Sequence, residues 1–158
     1  MGHKKQIRRA METGAAELAR EIERLPEDAA LWRPGENDWS QLEVLAHLWI
    51  AEHFVFLPRI RAMAEEDNPF LPLVDENALM QSEWRPEQPR ADLLAAILAD
   101  REAELALLAG SDWARPGDHE TNGPISIDWV AQYAMGHTWE HLSQIVRVRL
   151  RHALRRPA

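Results

Sequence analysis

Apolar residues recur at steps of three and four along four separate stretches of the chain, the spacing that lines one face of an α-helix. The first stretch carries Ile7, Met11, Ala15, Leu18, Ile22 and Leu25 with Lys, Arg and Glu between them, and Pro26 stops it. Gly14 is a mild weakness inside this helix. Residues 27–38 have the composition of a connection, with Trp32 placed to pack over an end of a bundle. The second helix has a marked start. Ser40-Gln41-Leu42-Glu43 fits a capping box, and Trp39 and Val44 fit the hydrophobic staple around it.

That helix should run from Gln41 to about Glu65 and is apolar around most of its circumference. Gln41, Glu52 and Arg59 fall in a narrow polar arc, which predicts the solvent side. His47 lies on the far side with Ala51 and Phe54 and so faces inward, whereas His53 points elsewhere and reads as a surface histidine. From Glu66 to Pro89 the period is lost, with Pro69, Pro72, Pro86 and Pro89 interrupting and a short helix from Asp75 to Gln81. A connector this long permits a crossover rather than an antiparallel hairpin.

The third helix begins near Arg90 and ends at Gly110 as a C′ residue, burying Leu94, Ile97, Leu98, Leu105 and Leu108. Arg101 sits in that stripe. It reads as a snorkelling side chain in preference to a cation reaching an interior pocket. The connection from Ser111 to Pro124 carries Asp112, Trp113, Asp118 and His119 and could cross the mouth of a bundle pocket; a solvated loop is the plainer reading. Ser126 caps the fourth helix, Asp128 suits its first turn, and Ile127, Val130, Ala134, Ile145 and Val148 mark its core face. Four amphipathic helices with no convincing strand predict an all-α four-helix bundle.

Length changes this picture little: 158 residues suit one domain spanning residues 1–158. The absence of cysteine excludes disulfides, thiolate metal sites and a cysteine nucleophile, so a metal would be held by nitrogen and oxygen. A formal charge of −8 argues against nucleic acid as a partner. No apolar run is long enough to span a membrane and the amino terminus lacks the apolar core of a signal peptide, so a cytoplasmic protein is expected. His3, in a segment that resembles a cloning remnant, is given no role.

The chemistry concentrates in His137-Thr138-Trp139-Glu140-His141. Two histidines four apart project from one helix face, one turn above the other. Here they occupy the core-facing steps of the fourth helix, and His47 faces inward from the second. One inward histidine is more often a hydrogen-bonded core residue; an inward pair at this spacing, joined by a third, favours a divalent metal. Three neutral imidazoles leave coordination positions open, which suits activation of water or of a thiolate. Such a set does not choose among Zn, Ni, Fe and Cu. Gln144, one turn beyond His141, could orient a ligand or substrate, or satisfy a helix neighbour. Glu43 could orient His47, although capping already explains it, and Glu140 reads as a surface glutamate. No carboxylate stands out as a general acid or base.

Trp39-Ser40 opening a helix, Glu43-Val44-Leu45-Ala46-His47-Leu48 followed by Glu52, and the late His137, His141, Gln144 and Ile145 together resemble the DinB-like (YfiT-type) metalloenzymes across essentially the whole chain. The resemblance implies an up-down-down-up four-helix bundle with nickel or zinc on His47, His137 and His141. It implies a small-molecule substrate and either hydrolysis or thiol transfer using bacillithiol or mycothiol. It also implies a homodimer and no DNA binding. The alternative is a metal-binding but non-catalytic bundle acting in stress response or interaction, which a closed site with a fourth protein ligand and no pocket would favour.

Overall fold

In the computed structural model, which describes residues 2–155, the second helix starts as its cap requires. Ser40 Oγ accepts the Glu43 N–H and Glu43 Oε2 accepts the Ser40 N–H, closing the capping box. Six helices follow in chain order: α1 (His3–Glu23), α2 (Gln41–Ile50), α3 (Leu57–Glu65), α4 (Glu76–Glu83), α5 (Arg90–Gly110) and α6 (Ile127–Leu154). A π-helical segment, Ala51–Phe56, joins α2 to α3 as one continuous rod, and a 3₁₀ turn, Glu27–Ala29, follows α1. Asp75 and Ser126 cap α4 and α6 through their side chains. Met1 and residues 156–158 lie outside the described residues.

The side-chain contacts set the topology. Parallel α1 and α6 are tied at their starts by His3 and Asp128 and near their ends by Glu21 and Arg149. The rod α2–α3 runs antiparallel to α6, with Gln41 Nε2 donating to Ile145 O at one end and Phe56 against Tyr133 nearer the other. Helix α5 runs parallel to that rod through Arg101 and Glu52 and antiparallel to α1 through Arg90 and Leu25. The result is the up-down-down-up arrangement, with the 66–89 crossover joining two parallel neighbours. Gly14, the expected weakness, is buried where α1 meets α6; a Cβ there would lie 3.3 Å from Trp139 Nε1.

The apolar core is divided by a charged layer. One cluster holds Met11, Ile60, Met63, Leu108 and Val130, the other Leu18, Leu45, Ile97, Leu142 and Ile145. Between them along α5 and α6 lie Arg101, Glu104 and Thr138, met by Glu52 from the π segment. This corrects two expectations. Arg101 does not snorkel but is 2% exposed, because two carboxylates compensate its charge in the interior. The arc of Gln41, Glu52 and Arg59 is not the solvent side: Gln41 and Glu52 are fully buried and Arg59 is half-buried, each facing polar partners on other elements. The buried stripe of α5 is accordingly Leu93, Ile97, Arg101, Glu104 and Leu108, leaving Leu94, Leu98 and Leu105 half-buried.

A small sheet was not anticipated. Strand β1 (Phe70–Leu71) pairs parallel with β2 (Pro116–His119), which pairs antiparallel with β3 (Gly123–Ser126). The sequence Pro-Gly-Asp-His carries no strand propensity; tertiary contacts impose the strand. Asp118 N donates to Pro69 O and Arg115 Nε to Met63 O, stitching the hairpin to the crossover and to α3. Gly117 makes room for this, since a Cβ would lie 2.7 Å from Leu71 Cδ1 and 3.0 Å from Met63 Cγ and would force those side chains to shift. Gly110 is the last residue of α5 rather than a left-handed C′, and Ser111 leaves in extended conformation. The short crossover helix extends two residues beyond the expected Gln81, to Glu83.

Candidate metal centre

His47 leaves α2 toward α6, where His137 and His141 project from successive turns. His47 Nε2 lies 3.1 Å from His137 Nε2. The three ring centroids are 4.4, 4.7 and 5.0 Å apart, and one nitrogen from each ring lies within 4.8 Å of the others. Two imidazole nitrogens bound to one ion at about 2.0–2.1 Å are separated by roughly 3.0–3.4 Å. The His47–His137 spacing fits that span. Burial, with the neighbouring His141 adding repulsion, pushes His47 down to about 4 and His137 to about 3. Both rings are therefore neutral near pH 7 and offer lone pairs.

Groups outside the trio approach two of the rings, one of them through a hydrogen bond. Gln144 Oε1 lies 2.8 Å from His141 Nδ1, which must donate to it, so the Nε2 of a neutral ring carries the lone pair. Glu76 Oε2 lies 3.5 Å from His47 Nδ1. Glu76 escaped the sequence reading: its helix was legible, but nothing in the local pattern says that a crossover residue faces His47. Burial raises its carboxyl and Arg59 opposes that rise. His137 Nδ1 is buried without a partner. Trp39 packs on His47 at 5.1 Å and Phe56 edge-on to His137 at 5.4 Å, shielding the trio from bulk water.

The remaining candidates are placed differently. Glu43 is engaged with Ser40 and Arg33 and makes no bond to His47. Glu140 is exposed, and His53 is exposed with its Nδ1 3.0 Å from Asp100. Arg101 lies beneath the trio: Nη2 donates to Glu52 Oε1 at 2.5 Å and to Thr138 Oγ1 at 2.8 Å, holding the residue next to His137. Glu104 completes this group at 3.1 Å from Arg101 Nη1. Burial and then the charge of Glu52 push the Glu104 carboxyl well up, while the Arg101 guanidinium opposes the rise.

Beside the trio opens a cavity of about 370 Å³. Phe56, which touches His137, and Glu76, which faces His47, form part of its wall, with Tyr133 one turn before His137. Arg59 and His119 contribute from α3 and β2, and Thr121 and Asn122 from the hairpin turn. The two connections read as loops thus become pocket walls, and His119 is buried in one of them.

A family model described as the DinB superfamily matches residues 10–145. The fold is similar to that of YfiT from Bacillus subtilis, described as a probable metal-dependent hydrolase with an unusual four-helix bundle topology. The two share 19% identity at a TM-score of 0.82, over 97% of this chain and 90% of that one. A DinB-like protein from the same organism, YjoA, shares 18% identity at a TM-score of 0.61, over 97% of this chain and 96% of its own. No curated protein matches the chain.

Proposed function

The chain belongs to the DinB superfamily, and on that premise we propose that it is a divalent-metal enzyme that activates water or a thiol against a small electrophilic substrate. One observation carries the reading: three imidazoles from two helices converge, with no fourth His, Cys, Asp or Glu ligand among the described residues, and a cavity opens beside them. A non-catalytic metal bundle would call for a fourth protein ligand, and the group holds three among the described residues.

His47, His137 and His141 would hold the ion, with zinc or nickel suggested by the family resemblance. A bound ion of this kind lowers the pKa of water to about 7 or accepts a thiolate, such as that of bacillithiol or mycothiol. The protein's own groups prepare the site. Gln144 fixes the tautomer of His141. Trp39 and Phe56 exclude water on either side. Glu76 Oε2 faces His47 Nδ1 and lines the cavity, where its raised affinity for a proton suits it to accept one from a bound nucleophile. A homodimer belongs to the same reading and is supported by the family resemblance alone.

The test is metal analysis of protein prepared without an affinity tag. One ion per chain is expected, removable by chelator, and His137→Ala should not regain it. Stoichiometric metal in that variant would sink the proposal. Hydrolysis and thiol transfer are then separated by turnover of one activated ester with and without bacillithiol, mycothiol or glutathione.

A further inference from the structure

The cavity holds a second set of converging polar groups that the metal reading leaves unused. Arg59 enters its wall from α3 with Nη2 donating to Pro72 O at 3.1 Å, while its Nε–H is shut away from solvent without a partner. His119 enters from the end of β2, and its Nδ1 accepts the N–H of Thr121 at 3.2 Å. A neutral ring that accepts at Nδ1 carries its proton on Nε2. Nε2 makes no protein hydrogen bond among the described residues. Burial and the nearby Arg59 charge both hold His119 in that neutral form. A guanidinium and an N–H donor thus share one wall: the sheet fixes the strand that carries His119, and the bond to Pro72 O ties Arg59 to the chain just after β1.

Beyond these groups, Thr121, Asn122 and Glu76, the wall is apolar. Phe56, Val55, Leu73 and Val74 line it, and Trp129 and Tyr133 stack with ring planes 9° apart beside it. The single carboxylate in the lining, Glu76, faces His47 Nδ1. A dianion such as phosphate would stand against that carboxylate with one arginine to balance it; a single negative charge on an apolar body matches both parts.

We propose that this cavity is a binding site for small carboxylic acids, with the carboxylate held by Arg59 and His119 Nε2–H and an aromatic or aliphatic body lying against Phe56, Tyr133 and Trp129. Its meaning as a substrate site rests on the metalloenzyme reading. The carboxylate would then anchor the far end of the molecule while the reacting group lies toward the histidines, past the shared wall of Phe56 and Glu76.

The experiment is calorimetric titration of the untagged full chain, both metal-stripped and zinc-loaded, with phenylacetate, phenethyl alcohol, phenethylamine and inorganic phosphate. Phenylacetate is expected to bind about tenfold or more tighter than phenethyl alcohol, which has the same ring without the charge. Arg59→Gln should abolish that ratio and Arg59→Lys should keep part of it. Equal binding of acid and alcohol, tighter binding of the amine or of phosphate, or an unchanged ratio in Arg59→Gln overturns the proposal. If Arg59→Gln does not fold, His119→Gln decides: a ratio cut about threefold supports the site and an unchanged ratio overturns it. Carboxylate selectivity in a protein that never takes up metal would defeat the metalloenzyme reading alone. Full metal loading without selectivity would defeat this one alone.

Discussion

Gln144 Oε1 lies 2.8 Å from His141 Nδ1, one turn along the same helix, and thereby decides which nitrogen of His141 is available to face the other two imidazoles. Outer partners of metal-bound histidines typically contribute ten- to a hundredfold in affinity. Gln144→Leu is therefore expected to weaken zinc binding by about that factor with the helical content unchanged, read by competition with a chromophoric chelator. An unchanged affinity would reduce Gln144 to a helix-surface hydrogen bond.

Acid should weaken the metal-free fold through His47 and His137. Their folded values, about 4 and about 3, lie below the 6.5 of the unfolded chain. Above pH 6.5 both states are neutral and nothing is lost. As pH falls below that value the unfolded chain takes up protons that the fold refuses, so stability drops until about pH 3. At pH 5 the loss is roughly 2 kcal/mol per ring. Urea unfolding in chelator at pH 7 and pH 5 should show this drop in the natural protein and a much smaller one in the double variant His47→Gln, His137→Gln. Parallel losses in the two proteins would refute it.

Arg101 and Glu104 should respond in opposite ways. Arg101→Met leaves Glu52 and Glu104 buried without a cation and should cost about 3–5 kcal/mol. Glu104→Gln replaces a carboxyl whose affinity for a proton the fold raises and should cost less than about 1 kcal/mol at pH 5. Because the folded Glu104 carboxyl sits above its unfolded value of 4.5, the stability it contributes is complete below that value and is lost as pH rises through the folded one. Glu104→Gln should thus gain on the natural protein toward alkaline pH, as urea midpoints across pH would show. A large loss at pH 5 would mean the group is ionised.

Helices α1 and α6 approach closely at Gly14, where Trp139 Nε1 and Thr138 Cγ2 leave little room for a side chain. Gly14→Val should force them apart and cost about 1–3 kcal/mol. A melting temperature equal to that of the natural protein would show that the crossing yields freely.

The sequence revealed most where local chemistry decides the outcome. The Ser40 cap, the α6 core face and the 137/141 pair all express contacts within one helix turn or two, and each appears at its expected place. The polar arc of α2 and α3 misled because periodicity reports that polar residues share a side, not whether that side meets water or other buried charges. Glu52 could be assigned to the interior only by knowing that Arg101, 49 residues on, would meet it. Glu76 and the strands β1 and β2 were hidden for the same reason: their roles come from how the crossover lies on the hairpin.

The π turn at Ala51–Phe56 sits between two halves of a rod that serve different tasks, His47 ahead of it and Arg59 with Ile60 behind. A π turn absorbs one extra residue locally, so taking out a single residue there would restore the α-helical ladder while Arg59 and Ile60 keep their faces. What would change is the bulge itself, which carries Glu52 toward Arg101. Homologues that keep the three histidines can therefore lack one residue between Ala51 and Phe56 and still present Arg59 to the cavity wall.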